Sequence, residues 1–275
     1  MWSHYPNKWK KCRLAIVKNS RYNIFMDCVL TFISGDKFAE KPEVGVYLDS
    51  LHHISGDKFV FTHDLNPTNR ERIAQYNIKI VDVDDIRWIV RDRFRAYAQF
   101  LSSCPYHHVL LTDSKDVLFT GNPFDYVREI DQDEFVILVS EGIRHGQSVW
   151  NVVDQTGLQR AIRPEAKFED WPVINGGVQL GTRKAIQRFC DTIYRMMMTV
   201  QPGSTEQALI NYMYHRHWKD QGEILLADPH KSWFCCTGEP IARGIQGYPI
   251  DVHAWKNPNL ARPYVIVHQW ERIAL

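Results

Sequence analysis

The 275-residue sequence has no run approaching the roughly 20 consecutive apolar residues that cross a bilayer, so no membrane-spanning helix is expected. It also lacks net charge. The 33 Lys and Arg against 32 Asp and Glu leave +1, which gives no basis for a nucleic-acid surface or an acidic tail. None of the six cysteines, at positions 12, 28, 104, 190, 235 and 236, has the CxxC spacing of a zinc ribbon. Residues 1–12 are rich in Trp, Lys and Tyr where a secretory signal would carry an apolar core. The expectation is a cytosolic protein with reduced thiols, with peripheral membrane association left open. No Gly-rich loop bearing Lys or Arg follows the first apolar segment, as a nucleoside-triphosphate pocket would require. Aromatic residues are abundant (9 Trp, 12 Tyr, 13 Phe). They suit a deep core, with sugar stacking as the rarer use.

Strand-like and helix-like segments alternate in the first half. Arg13 to Val17 reads as a strand ending in Lys18-Asn19-Ser20-Arg21, and Asn23 to Phe32 as a helix with Ile24, Cys28 and Phe32 on one face. Lys58 to Thr62 is a strand ending at His63-Asp64, and Asn69 to Tyr76 a helix opened by Asn66-Pro67-Thr68. Ile78 to Val83 is a third strand, a long helix covers about Asp85 to Ser102, and Val109 to Leu111 is a strand apolar on both faces. This rhythm predicts βαβ units and a mostly parallel sheet with helices on both faces, in one domain spanning 1–275. The hexapeptide Ile-Ser-Gly-Asp-Lys-Phe, at 33–38 and 54–59, reads as two similar turns. In the second half, Phe135 to Ser140 is a strand stopping at Glu141, and 142–170 has no period and reads as loops or a lid. Asp170 to Gly181 reads as a turn, a double glycine and a short strand. Lys184 to Val200 and Thr205 to Trp218 are helices, the second capped by Ser204 or Thr205. Tyr264 to Val267 is a last strand ending at His268.

The chemistry concentrates where the strand from Val109 runs into Asp113 and Asp116. Carboxylates at the tip of a core strand need a cation, a basic partner or solvent, and ligands of open α/β sheets bind at such tips. Asp113 capping a turn and Asp116 paired with Lys115 would explain them equally well. Arg93 flanks the buried stripe of Val90, Phe94, Tyr97 and Leu101 on the preceding helix and needs a partner, which Asp113, Asp116 or a phosphate would supply. Asn175-Gly176-Gly177 marks a backbone with positive φ or one that is approached closely, and a β-bulge would use the two glycines equally well. Glu206 and Gln207 open a helix, where capping is their ordinary use. His268, at a strand end meeting the same sheet edge, is a candidate third metal ligand.

In order, these blocks resemble the nucleotide-sugar-dependent glycosyltransferases of the GT-A fold. The resemblance runs through Arg93 to Tyr97, Leu110 to Val117, Ile174 to Gly181, Thr205 to Asn211 and Val267 to Arg272. The acids here are spaced Asp-x-x-Asp rather than Asp-x-Asp, and Glu206 stands where many relatives have Asp. The resemblance implies a Rossmann-like GT-A sheet, with 1–120 a nucleotide-binding half and 121–275 a sugar- and acceptor-binding half. It implies Mn²⁺ or Mg²⁺ held by Asp113, Asp116 and His268. It further implies a nucleotide-diphosphate sugar held by Lys18, Asn19, Arg21, His63, Arg93, Asp113, Asn175, Gly176, Gly177 and Gln207, and a glycan-type acceptor. If the reaction inverts, Glu206 or Glu141 is the base, with Asp170 a distant third. If it retains, these residues only position sugar. A nucleotidyltransferase using the same acidic site and a non-catalytic sugar-binding module are the alternatives.

Overall fold

The computed structural model describes residues 26–162, 167–200, 205–238 and 263–272. The strand expected at 13–17 and the tip residues Lys18, Asn19 and Arg21 lie outside them.

The chain runs β1 (Asp27–Ser34), α1 (Asp36–Ala39), α2 (Pro42–Ser50), β2 (Asp57–His63), α3 (Pro67–Ala74), β3 (Lys79–Asp82) and α4 (Ile89–Leu101). It continues with β4 (His108–Thr112), β5 (Val117–Phe119), α5 (Phe124–Val127), β6 (Val136–Arg144) and α6 (Val149–Ile162). Last come β7 (Pro172–Thr182), α7 (Arg183–Thr199), α8 (Glu206–Met213), β8 (Ile224–Ala227), β9 (Phe234–Cys236) and β10 (Ile266–His268). The main sheet has the order β3-β2-β1-β4-β7-β6-β8, and β5-β10-β9 form a small second sheet. Only β7 runs antiparallel to its neighbours in the main sheet. The expected mostly parallel α/β sheet is present.

Its central strands are apolar on both faces because helices cover both. Cys28, Leu30 and Phe32 of β1, with Val109 and Leu111 of β4, pack into the core that includes residues of α4, α7 and α8. Val29, Ile33 and Leu110 point the other way, into the core shared with α2 and α3. This two-sided burial explains why a helix was expected over 23–32 where β1 begins at Asp27. A fully buried strand carries no alternation, and the i, i+4 spacing of Cys28 and Phe32 imitates a helical face.

Other boundaries shift for local reasons. Helix α4 starts at Ile89 rather than Asp85, because Asp85 is left-handed (φ 56°) and the Asp92 carboxylate accepts the N–H groups of Arg87 and Trp88. Strand β6 does not stop at Glu141 but continues to Arg144 through register shifts. The region expected as irregular holds helix α6. It buries Asn151 and Gln155 and exposes Val149, Trp150 and Val153, so its hydrophobic pattern is inverted and gave no helical signal. The short strand expected after the double glycine is the 11-residue strand β7, which begins at Pro172 and contains both glycines. The repeated hexapeptide forms two different junctions: one leaves β1 through Gly35 (φ 72°) and the other leads into β2.

Strand polarity positions the site. Strands β1, β2, β3, β4 and β6 end at one edge, and the order reverses between β1 and β4. Strand β7 runs back past the end of β4, so its first half lies beside Asp113, whose N–H donates to the Gly177 carbonyl at 2.8 Å.

Candidate active site

The acids and the histidine from the far end of the sequence converge. Asp116 immediately precedes β5, and β10 pairs antiparallel with β5 so that His268 lies opposite Val117. The backbone N–H of Gln269 donates to the Asp116 carbonyl at 2.6 Å, pinning the two segments together. Ligand atoms of Asp113, Asp116 and His268 all lie within 4.8 Å of one another. His268 Nε2 is buried, makes no hydrogen bond and lies 3.4 Å from Asp116 Oδ1.

A divalent cation fits this cluster. Two carboxylates and one imidazole are a donor set suited to Mn²⁺, and the space is kept open by an absent side chain. A Cβ on Gly177 would come within 2.6 Å of Asp113 Oδ2 and 2.8 Å of His268 Nε2. Neither Gly176 nor Gly177 has positive φ, and two readings of the double glycine hold together: a close approach at Gly177 and a bulge, since the pairing of β7 with β6 shifts register between Gln179 and Ile174.

Arg93 is anchored by two acids. Its Nη1 donates to Asp113 Oδ1 at 2.6 Å and its Nη2 to Glu206 Oε1 at 2.7 Å. Its side chain is only 14% exposed. The pairing with Asp116 considered from the sequence is replaced by Glu206, which arrives from the first turn of α8. Burial alone would lower the Arg93 pKa, but Asp113 and Glu206 outweigh it and hold it above its ordinary value. One guanidinium shared by two carboxylates cannot fully compensate both. Burial raises Glu206 to about 7, Arg93 opposes the rise, and Asp113 adds to it. Asp116 is held at about 2: burial would raise it, and the adjoining His268 outweighs that effect. Burial lowers His268, but Asp116, Asp113 and Glu141 together raise it.

A second layer fixes β7. Asn175 Oδ1 accepts from the Gly177 N–H at 2.8 Å, while its Nδ2 donates to Glu141 Oε1 at 3.1 Å and to His268 Nδ1 at 2.9 Å. Gln207 Oε1 accepts from the Gly176 N–H at 2.9 Å, and its Nε2 donates to Glu141 Oε1 at 3.1 Å. Glu141 is thus buried against two carboxamides, which is why the strand carries it inward rather than ending there.

The structure therefore gathers Arg93, Asp113, Asp116, Glu141, Asn175, Gly176, Gly177, Glu206, Gln207 and His268. His63 stands apart: at the end of β2, its ring bonds the Val83 carbonyl at 3.2 Å and Asp64 at 3.0 Å. Asp170 precedes β7 as an exposed residue whose carbonyl accepts from Arg144. Thr205, not an interior residue, caps α8 through Ala208 N–H; Ser204 lies outside the described residues. Two supporting residues went unrecognised in the sequence. Asn211 brackets Ile174, accepting from its N–H and donating to its carbonyl, each at 2.7 Å. The i, i+4 spacing of Gln207 and Asn211 was the available signal. Asn151 Oδ1 accepts from Gln207 Nε2 at 2.9 Å, and nothing in the sequence marked it.

No protein-family model and no curated protein matches the sequence. Solved structures match its shape. A galactosyltransferase, LgtC, determined in complex with donor and acceptor sugar analogs, aligns with a TM-score of 0.52 at 17% identity, covering 88% of this chain and 86% of that one. The bifunctional glycosyltransferase WbbM aligns with a TM-score of 0.55 at 11% identity, over 91% of this chain and 46% of that one. The glycosyltransferase GlyE of Streptococcus pneumoniae TIGR4 aligns with a TM-score of 0.50 at 13% identity, over 89% of this chain and 54% of that one. The chain has the GT-A fold.

Proposed function

We propose that this chain is a glycosyltransferase that moves a sugar from a nucleotide-diphosphate donor to an acceptor hydroxyl with the help of a divalent cation. The observation that carries the reading is the convergence of Asp113, Asp116 and His268 at the carboxyl edge of the sheet. A fold shared with glycosyltransferases supports it.

Asp113, Asp116 and His268 would hold Mn²⁺ or Mg²⁺, which when bound neutralises charge on the leaving diphosphate as a Lewis acid. Arg93, locked by two carboxylates, presents a fixed positive charge beside Asp113 without having to be ordered on binding. Asn175 and Gln207 carry the hydrogen-bonding capacity that fixes sugar hydroxyls, and Glu141 holds both carboxamides in one orientation. Gly176 and Gly177 let a donor approach the β7 backbone. Of the two candidate bases, Glu206 is the better placed to take a proton, because its pKa of about 7 lies near the working pH. Glu141 serves as an anchor. The acceptor is a glycan-type hydroxyl. His63, at the end of β2, is assigned to the nucleotide side through its place on the same edge. Lys18, Asn19 and Arg21 are assigned there by the resemblance alone.

Thermal melting with UDP, GDP and TDP, each with and without Mn²⁺, tests the proposal. A ligand at 100 times its Kd stabilises by about 2.7 kcal/mol, so one diphosphate with Mn²⁺ is expected to raise Tm by several degrees. No shift with any diphosphate, with or without the metal, would transfer the site to the sugar-binding reading. Stabilisation by a nucleoside triphosphate in preference to a diphosphate would favour a nucleotidyltransferase. Among the described residues no helix is long and apolar enough to cross a membrane.

A further inference from the structure

We infer that Asn175 is a positioning residue that fixes which nitrogen of His268 carries the ring hydrogen, and thereby limits the affinity of the site for a divalent cation. The inference rests on the metal site proposed above.

The orientation of the Asn175 carboxamide is set by a neighbour that cannot change role, with Glu141 on its other side. The Gly177 backbone N–H only donates, and it faces Oδ1 at 2.8 Å. The Glu141 carboxylate faces Nδ2 at 3.1 Å and receives a second amide, from Gln207, at the same distance. Turning the carboxamide end for end would set N–H against NH₂ and oxygen against carboxylate. The group 2.9 Å from His268 Nδ1 is therefore Nδ2, a donor, and Nδ1 must offer its lone pair. The ring hydrogen is then on Nε2. A hydrogen on Nδ1 would be driven into the amide hydrogens at that distance.

This reverses the usual support of a metal-bound histidine, whose second nitrogen donates to an acceptor. Among the described residues, Cys236 Sγ also lies near Nδ1, at 3.7 Å, and its thiol donates to Gln269 Oε1 at 3.4 Å. For a cation to take the Nε2 lone pair, the hydrogen must pass by solvent exchange to Nδ1, with no change in total protonation. The Asn175 carboxamide must then turn, losing its bonds to Gly177 and Glu141. Cation occupancy is in this way coupled to the double-glycine strand and to the Glu141–Gln207 network.

Long-range ¹H–¹⁵N spectra of metal-free protein labelled at histidine nitrogens read the tautomer directly. Among twelve histidines, the His268 ring is identified by its disappearance in His268→Asn. The expected form is Nε2–H. Nδ1–H, or a ring protonated at both nitrogens, overturns the inference. Asn175→Ala, checked for folding by its melting curve, removes the competing donor and is expected to bind Mn²⁺ about ten-fold more tightly, the lower end of second-layer effects, with free Mn²⁺ counted by electron paramagnetic resonance. Affinity equal to or weaker than wild type also overturns it. Failure of the wild-type protein to retain Mn²⁺ removes the metal site itself, a result distinct from the tautomer, which is read without metal.

Discussion

Substituting Gly177 by alanine isolates the geometry on which the site depends. The backbone there is not left-handed, so alanine incurs no conformational strain and the effect is steric. The added Cβ meets Asp113 Oδ2 at 2.6 Å and His268 Nε2 at 2.8 Å, where ordinary contact begins at 3.4 Å. Two of the three proposed ligands must each retreat by about 0.6–0.8 Å, several times the roughly 0.2 Å tolerance of a metal–ligand distance. Mn²⁺ affinity should fall by about 100-fold or more, as when a supporting or coordinating group is lost. Metal-free stability should fall by about 1–3 kcal/mol, the usual cost of forcing a methyl into a packed site. Gly176→Ala is the internal control. Its Cβ meets the Gln207 Cβ at 3.1 Å and Cα at 3.3 Å rather than the ligand atoms, so it should weaken Mn²⁺ binding far less. Isothermal titration calorimetry of both variants decides the matter. Wild-type Mn²⁺ affinity in Gly177→Ala would refute the reasoning.

Val109→Ala, in the two-sided core strand, should cost about 1–3 kcal/mol in urea unfolding without altering cation affinity, because Val109 is fully buried and away from the strand tip. Arg93→Ala leaves Asp113 and Glu206 without their shared guanidinium. It should destabilise by about 3 kcal/mol, the low end for breaking a buried pair, since the Asp113 side chain is 32% exposed. Glu206, raised from 4.5 to about 7, binds more protons in the folded than in the unfolded protein between those values. Metal-free stability should therefore decline as pH rises from about 4.5 to 7, and Glu206→Gln should remove that part of the slope. A slope unchanged in Glu206→Gln would assign the pH dependence to other groups.

The parts of this molecule that were legible in its sequence are those where polarity changes abruptly along an element. The run from Val109 into Asp113 and Asp116 announced a strand tip, and His268 announced another, because apolar residues on both sides of a strand leave a carboxylate or imidazole nowhere to go but the edge. Arg93 was legible as a cation needing an acid, since it borders the stripe of Phe94, Tyr97 and Leu101. Its second partner, Glu206, was not, because 113 residues separate the pair and only the docking of α8 brings them together. Strand β1 was misread for the reason that makes it central: burial on both faces erases the period of two. Helix α6 was invisible because its inward face carries Asn151 and Gln155. Glu141 reads as a strand end because a carboxylate is unexpected inside a sheet, and the amides of Asn175 and Gln207 that admit it come from β7 and α8.

The central claim is tested most directly by anomalous scattering at the manganese edge from crystals grown with Mn²⁺ and a nucleoside diphosphate. The account predicts one strong peak at coordination distance, roughly 2.0–2.6 Å, from carboxylate oxygens of Asp113 and Asp116 and from Nε2 of His268. No peak there, or one held by other residues while Asp113 remains paired with Arg93 alone, would contradict it.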